Sequence, residues 1–128
     1  MTVGLADTSV FIASESGRPL VRARFPEALR VSIVTVAELR AGVLIAVDDE
    51  QRARRSATLA HALRLDPAIV DASVAGAWAT LRVALRDVRR RMRANDAWIA
   101  ATAIALGLPL VTQDDDFQGV PMLEVIRV

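Results

Sequence analysis

Residues Asn95 to Phe117 read NDAWIAATAIALGLPLVTQDDDF, and the rest of the chain is arranged around this stretch. Ile99, Thr102, Ala103 and Leu106 recur at the i, i+3, i+4, i+7 spacing of a buried helical face. Asn95 and Asp96 stand where helix N-caps stand, and Gly107 before Leu108-Pro109 is a stop signal. Leu110 to Thr112 then predicts a short buried strand, followed at once by Asp114, Asp115 and Asp116. A helix that opens on a carboxylate, leading into a strand that closes on three more, implies that acids are delivered to one place.

The flanking sequence supplies the other elements. Val3 to Ala6 predicts a strand ending on Asp7, and Asp7-Thr8-Ser9 is an N-cap signal for a helix carrying Val10 to Ala13. Glu15 to Pro26 reads as a loop with a helical turn at most. Val31 to Val34 predicts a second strand and Thr35 to Ala46 a helix, with Thr35-Val-Ala-Glu38 a capping box by pattern. Asp48 to Leu63 predicts a helix with a Glu50–Arg54 pair, and Leu63 to Leu65 a short edge strand. Asp66-Pro67 then opens a long helix whose apolar stripe is Val70, Val74, Ala77, Leu81, Leu85 and Val88. Met122 to Val128 is the last strand. Short, continuously apolar strands alternating with helices predict an α/β fold with a mainly parallel sheet of about five strands, in one domain spanning residues 1–128.

Composition narrows the chemistry. The chain has no Cys, which excludes thiolate metal sites and cysteine nucleophiles, and all sixteen basic residues are Arg, which excludes lysine-dependent phosphate clamps and Schiff bases. The single histidine, His61, has no partner nearby in sequence. Any catalysis must come from carboxylates, hydroxyls, arginine, or whatever the carboxylates bind. No secretory signal precedes the first strand, and the longest apolar run is broken by Gly107 and Pro109, so a soluble cytoplasmic protein is expected.

Right-handed crossovers put the carboxyl ends of parallel strands on one edge of the sheet, where ligands bind in open α/β folds. Asp7, Glu38, Asp96 and Asp114 all fall at or near such strand-to-helix turns. Clustered carboxylates repel one another unless a cation lies between them. Oxygen-only ligands suit Mg²⁺ or Mn²⁺, which handle phosphate esters and activate water. The competing explanation is that these acids are helix caps, favoured by hydrogen bonding and the macrodipole. In that case the chain is a non-catalytic α/β module that binds a protein partner or RNA through its arginines. Of the late acids, Asp114 and Asp116 are the candidate ligands and Asp115 faces solvent.

The ordered set Asp7-Thr8-Ser9, Thr35-Val-Ala-Glu38-Leu, Asn95-Asp96-Ala-Trp-Ile-Ala-Ala-Thr-Ala and Val111-Thr112-Gln-Asp114-Asp-Asp116-Phe117 resembles the successive motifs of PIN-domain ribonucleases of the VapC toxin type. The resemblance is collinear over almost the whole chain. It implies a three-layer α/β/α fold and a Mg²⁺- or Mn²⁺-dependent endoribonuclease that is homodimeric and inhibited by a VapB-type antitoxin. It further implies an acidic quartet of Asp7, Glu38, Asp96 and Asp114, with Asp116 as a fifth acid and Thr8, Asn95 and Thr112 in support. Asp114-Asp115-Asp116 is a departure, because the family often places a basic residue in that turn.

Arg82, Arg86, Arg89 and Arg93 recur near helical spacing just ahead of the acids, an arrangement suited to RNA phosphates and equally to a solvated helix face. Trp78 and Trp98 lie on alanine-rich helices, where an aromatic is expected in the core or an interface.

Overall fold

Alternation along β1 (Val3–Ala6) sends Leu5 to one face of the sheet and Ala6 to the other, and the two residues belong to separate cores. The computed structural model describes residues 1–128. After β1 come α1 (Thr8–Ser16), β2 (Ala28–Val31), α2 (Ile33–Leu44), α3 (Asp49–Leu63), α4 (Ala72–Asp87), α5 (Ala94–Leu106), β3 (Leu110–Thr112) and β4 (Val125–Arg127). The four strands are parallel in the order β2-β1-β3-β4. Leu5 and its register partner Leu110 pack with Leu81 and Leu85 of α4, Ile99, Ala100 and Ala103 of α5, and Phe117. Ala6 and its partner Val31 pack with Phe11, Val36, Leu39, Leu59 and Ala62 from α1, α2 and α3. The result is three layers, helix on sheet on helix. No helix is long and apolar enough to cross a membrane.

The sheet has four strands where about five are expected. Leu63–Leu65 is not a strand: the amides of Arg64 and Leu65 bond back to the carbonyls of His61 and Ala62, which closes the end of α3. The edge position is taken instead by a single parallel bridge between Ser32 and Ala68, with Ala68 donating to Val31 and accepting from Ile33. That bridge holds Ala68 at the sheet edge, and Asp66 is left-handed at φ 49°, so Asp66-Pro67 does not open the long helix. Asp71 is the N-cap, its carboxylate accepting from the Val74 amide at 2.9 Å. Val70 lies outside the helix, while Val74, Leu81 and Leu85 form its buried stripe.

The second strand ends at Val31, three residues earlier than its β-branched run suggests. Ser32 caps α2 by accepting from the Val34 amide at 3.0 Å, and Ile33 and Val34 turn helical to bring Val36 and Leu39 onto the sheet. Thr35 therefore sits inside α2, and Glu38 lies in its second turn; the capping box does not form. Nor do Asn95 and Asp96 cap α5, whose N-cap is Arg93.

Gly4 is required by close approach. A Cβ there would lie 2.8 Å from Val111 Cγ2, 3.0 Å from Pro26 Cγ and 3.4 Å from the Pro109 carbonyl oxygen. Val111 is fully buried and stiff, so it has nowhere to go. Gly4→Ala is expected to destabilise the chain by about 1–3 kcal/mol through overpacking, read as a lower urea midpoint with an unchanged slope.

Candidate metal centre

The order β2-β1-β3-β4 reverses direction at β1, which leaves a crevice at the carboxyl ends of β1 and β3. Asp7 directly follows β1 in that crevice and is 4% exposed. Its Oδ2 accepts from the Ser9 hydroxyl at 2.7 Å, the Thr112 hydroxyl at 2.9 Å and the Ser9 amide at 3.4 Å. Ser9 and Thr112 are themselves oriented by the turn after β3. The Gln113 amide donates to Ser9 Oγ at 3.0 Å and the Asp114 amide to Thr112 Oγ1 at 2.9 Å. Both hydroxyl protons are committed to Asp7, so the 3.2 Å approach of the two hydroxyl oxygens is a contact of neighbours that share one acceptor.

A second chain of hydroxyls holds Glu38. Thr8 Oγ1 donates to Glu38 Oε1 at 2.7 Å and lies 2.9 Å from Thr35 Oγ1. With its own proton spent on Glu38, Thr8 must accept from Thr35, which is fully buried. The order Thr35 to Thr8 to Glu38 fixes the carboxylate from beneath.

Asp96 lies on the first turn of α5, where the positive end of the helix favours an anion. Asp114 terminates the turn after β3 and caps a short 3₁₀ turn (Asp115–Phe117) by accepting from the Asp116 amide at 3.0 Å. One carboxylate oxygen from each of Asp96, Asp114 and Asp116 lies within 4.8 Å of the others. Asp115 turns away and pairs with Arg127 at 2.8 Å. Asn95 is exposed beside Asp96.

The charge balance is unfavourable as the side chains stand. Burial raises the pKa of Asp7, partly offset by the hydrogen bonds from Ser9 and Thr112. Asp96 is pushed up to about 6, first by burial, then by the fields of Asp7, Asp114 and Glu38, with Arg93 opposing. All four acids of the sequence-derived quartet are thus close enough to interact, and the acids of the late turn crowd the same point. Hard divalent cations take carboxylate oxygens at about 2.1 Å and so span opposed oxygens about 4.2 Å apart. The Asp96, Asp114 and Asp116 oxygens fit such an ion after a small inward movement. The donor set, all oxygen and all anionic, also fits.

Beside the acids, α4 presents a groove of about 940 Å³ lined by Trp78, Arg82, Arg86, Arg89, Arg90 and Arg91 among others. Trp78 stacks on Trp98 at 5.0 Å, and the Arg82 guanidinium lies 5.3 Å from the Trp78 ring centre. Arg93 is exposed at the start of α5. His61 is exposed on α3, edge-on to Phe11. Sequence reasoning did not single out Ser9 or Thr35 as site residues. Both lie within the quoted motifs, but hydroxyls next to a cap read as ordinary capping until the strands are paired.

A four-stranded parallel sheet with carboxylates gathered at its switch point is the arrangement of the PIN domain, and the chain belongs to that family: the PIN domain model matches residues 5–122. The chain is similar to Ribonuclease VapC5 of Mycobacterium tuberculosis (strain ATCC 25618 / H37Rv), 48% identical over 128 residues that cover 98% of this chain and 95% of that protein. Ribonuclease VapC4 of the same strain is 45% identical over 124 residues, covering 97% and 95%. A crystal structure of VapBC-5 from Mycobacterium tuberculosis, a member of the VapBC family of toxin-antitoxin systems, matches with a TM-score of 0.90 at 44% identity over 100% of both chains.

Proposed function

We propose that this chain is a divalent-metal-dependent endoribonuclease and the toxin of a toxin-antitoxin pair. The observation that carries the reading is the approach of Asp96, Asp114 and Asp116 oxygens to within 4.8 Å of one another beside buried Asp7, in a chain with no lysine or cysteine to do the chemistry otherwise. The likeness to two ribonucleases supports RNA as substrate, and the VapBC-5 structure supports an antitoxin of the VapB type as partner. The same reading places the protein in the cytoplasm, as a homodimer. Leu44, Ile45 and Val47, exposed at 76%, 73% and 81%, are apolar surface available to partner chains.

In this reading Asp7, Asp96, Asp114 and Asp116 hold Mg²⁺ or Mn²⁺. When bound, the ion supplies an activated water and neutralises charge on the phosphate. Glu38, fixed by Thr8, accepts a proton from the attacking water, the departing 3′-oxygen takes one from solvent, and Asp7 is held in one orientation by Ser9 and Thr112. The products are a 5′-phosphate and a 3′-hydroxyl. Asn95, exposed beside Asp96, supports the site by hydrogen bonding, as do Thr8 and Thr112. Arg82, Arg86 and Arg89 along the α4 groove, with Arg93 at the start of α5, neutralise the RNA backbone and offset the repulsion of the acids.

Cleavage of RNA by the purified chain tests the reading. Activity with Mg²⁺ or Mn²⁺ should vanish in excess EDTA and return when the metal is restored. Apparent metal affinity should fall as pH drops below about 6, because the raised pKa of Asp96 makes proton and metal compete for one oxygen set. Cleavage that persists in EDTA sinks the proposal.

A further inference from the structure

We infer that Arg90 is a positioning residue for the metal centre: it ties the turn carrying Asp114 and Asp116 to the connection that leads into Asp96. The inference rests on the reading of those acids as a metal site. Its geometry is independent of that reading.

Helix α4 ends in a Schellman arrangement. The Arg90 amide bonds to the Leu85 carbonyl at 2.9 Å and the Arg89 amide to the Arg86 carbonyl at 3.0 Å. Such an ending needs a left-handed residue, usually glycine, and here Arg89 fills it at φ 56°. The chain reverses there, and the half-buried Arg90 side chain lies against the late acid turn. One guanidinium nitrogen donates to the Gln118 carbonyl and the other to the Asp116 carbonyl. A Cβ on Gly119 would lie 3.5 Å from the first of these nitrogens, so the guanidinium packs flush on the turn. Three residues beyond Arg90, Arg93 caps α5, and three further on is Asp96.

One six-residue connection, 88–93, is therefore fastened at Arg90 to the segment bearing Asp114 and Asp116, and at Arg93 it starts the helix bearing Asp96. No other side chain hydrogen-bonds the carbonyls of the 3₁₀ turn or of Gln118. The fork adds a directional tie to the burial of Phe117 beside Ile99 of α5, and the two together hold the separation of Asp96 from the other two acids. Lysine cannot replace it, because an ammonium on a single stem does not present two parallel donors to two carbonyls.

The test is Mn²⁺ titration calorimetry on the full chain, stripped with EDTA and returned to buffer, for the parent, Arg90→Ala, Arg90→Lys and Arg91→Ala. Both Arg90 variants should bind Mn²⁺ about 10–100-fold more weakly, the usual loss when a group that orients metal ligands is removed. Arg91→Ala, in the same groove without a bond to the turn, should match the parent in Mn²⁺ affinity, the one quantity for which it serves as control. In RNA cleavage the half-activating Mn²⁺ concentration should rise while kcat at saturating Mn²⁺ recovers. Parent-like Mn²⁺ affinity in a folded Arg90 variant overturns the inference and leaves the proposed function standing. A parent that binds no Mn²⁺ overturns both. Loss of Mn²⁺ affinity in Arg91→Ala equal to that in Arg90→Lys, or loss of folding in both Arg90 variants, also overturns it.

Discussion

Asp96→Asn should lose metal-dependent RNA cleavage by on the order of a thousandfold and, in the same tube without metal, unfold at a higher temperature than the parent. The activity loss follows from removing an anionic ligand from a site where several kcal/mol of charge stabilisation depend on it. The stability gain follows from the raised pKa. A carboxyl whose pKa rises from 3.8 to about 6 on folding binds its proton more tightly folded than unfolded. Its contribution to stability is complete below pH 3.8 and is lost as pH rises through about 6, so at pH 7.5 the ionised side chain opposes folding. Asparagine cannot ionise. The gain should be about 2 kcal/mol at pH 7.5, less than the full shift would give because the carboxyl keeps partial contact with water, and it should shrink by about three-quarters near pH 4. Urea unfolding in EDTA at both pH values measures it. Equal stability of the two proteins at pH 7.5 would show that neither burial nor the neighbouring acids oppose the charge on Asp96.

Phe117→Ala should cost about 3–5 kcal/mol, a large share of the stability of a domain this size. Phe117 is fully buried among Leu5, Leu81, Leu85, Ile99 and Leu110, contributed by β1, α4, α5 and β3. It is also the last residue of the 3₁₀ turn that Asp114 caps. Emptying its pocket removes the anchor of the turn as well as core volume. The variant should lower the thermal midpoint steeply. Among molecules still folded at low temperature, it should also weaken Mn²⁺ binding. A midpoint shift of only a degree or two would mean that the turn is held by its hydrogen bonds alone.

Elements whose local signals and tertiary role agree were legible in the sequence. Leu110–Thr112 and Val3–Ala6 are continuous apolar runs buried in a parallel sheet, and Gly107 ends α5 in the left-handed conformation its position announces. The elements that shifted are those where a long-range contact overrides a local rule. Val31 to Val34 has strand composition, but Ser32 caps a helix there, and Ile33 and Val34 turn helical to bring Val36 and Leu39 into the core. Asp66-Pro67 looks like a helix start, yet Asp66 turns left-handed and the bridge to Ser32 holds Ala68 at the sheet edge. The carboxylates themselves could be picked out because parallel connectivity sends strand ends to one edge. The groups that hold them could not: Thr35 acts through Thr8 from 27 residues away, the Gln113 amide orients Ser9 from 104 residues away, and Arg90 acts on the carbonyls of Asp116 and Gln118 from 26 and 28. No periodicity encodes such pairings.

The place of β1 between β2 and β3 has a consequence in time. Its pairing with β2 joins residues 25 apart, Val3 with Ala28, whereas its pairing with β3 joins Leu5 to Leu110. On a ribosome adding about 5–20 residues per second, the first edge is satisfied while the second stands open for several seconds more, until Leu110 to Thr112 emerges. Asp7 then waits for the Thr112 hydroxyl, and Asp96 for Asp114. Until the third strand is released and paired, the acids at the sheet edge stay apart, so assembly of the whole cluster hangs on one late pairing rather than on the early half of the chain.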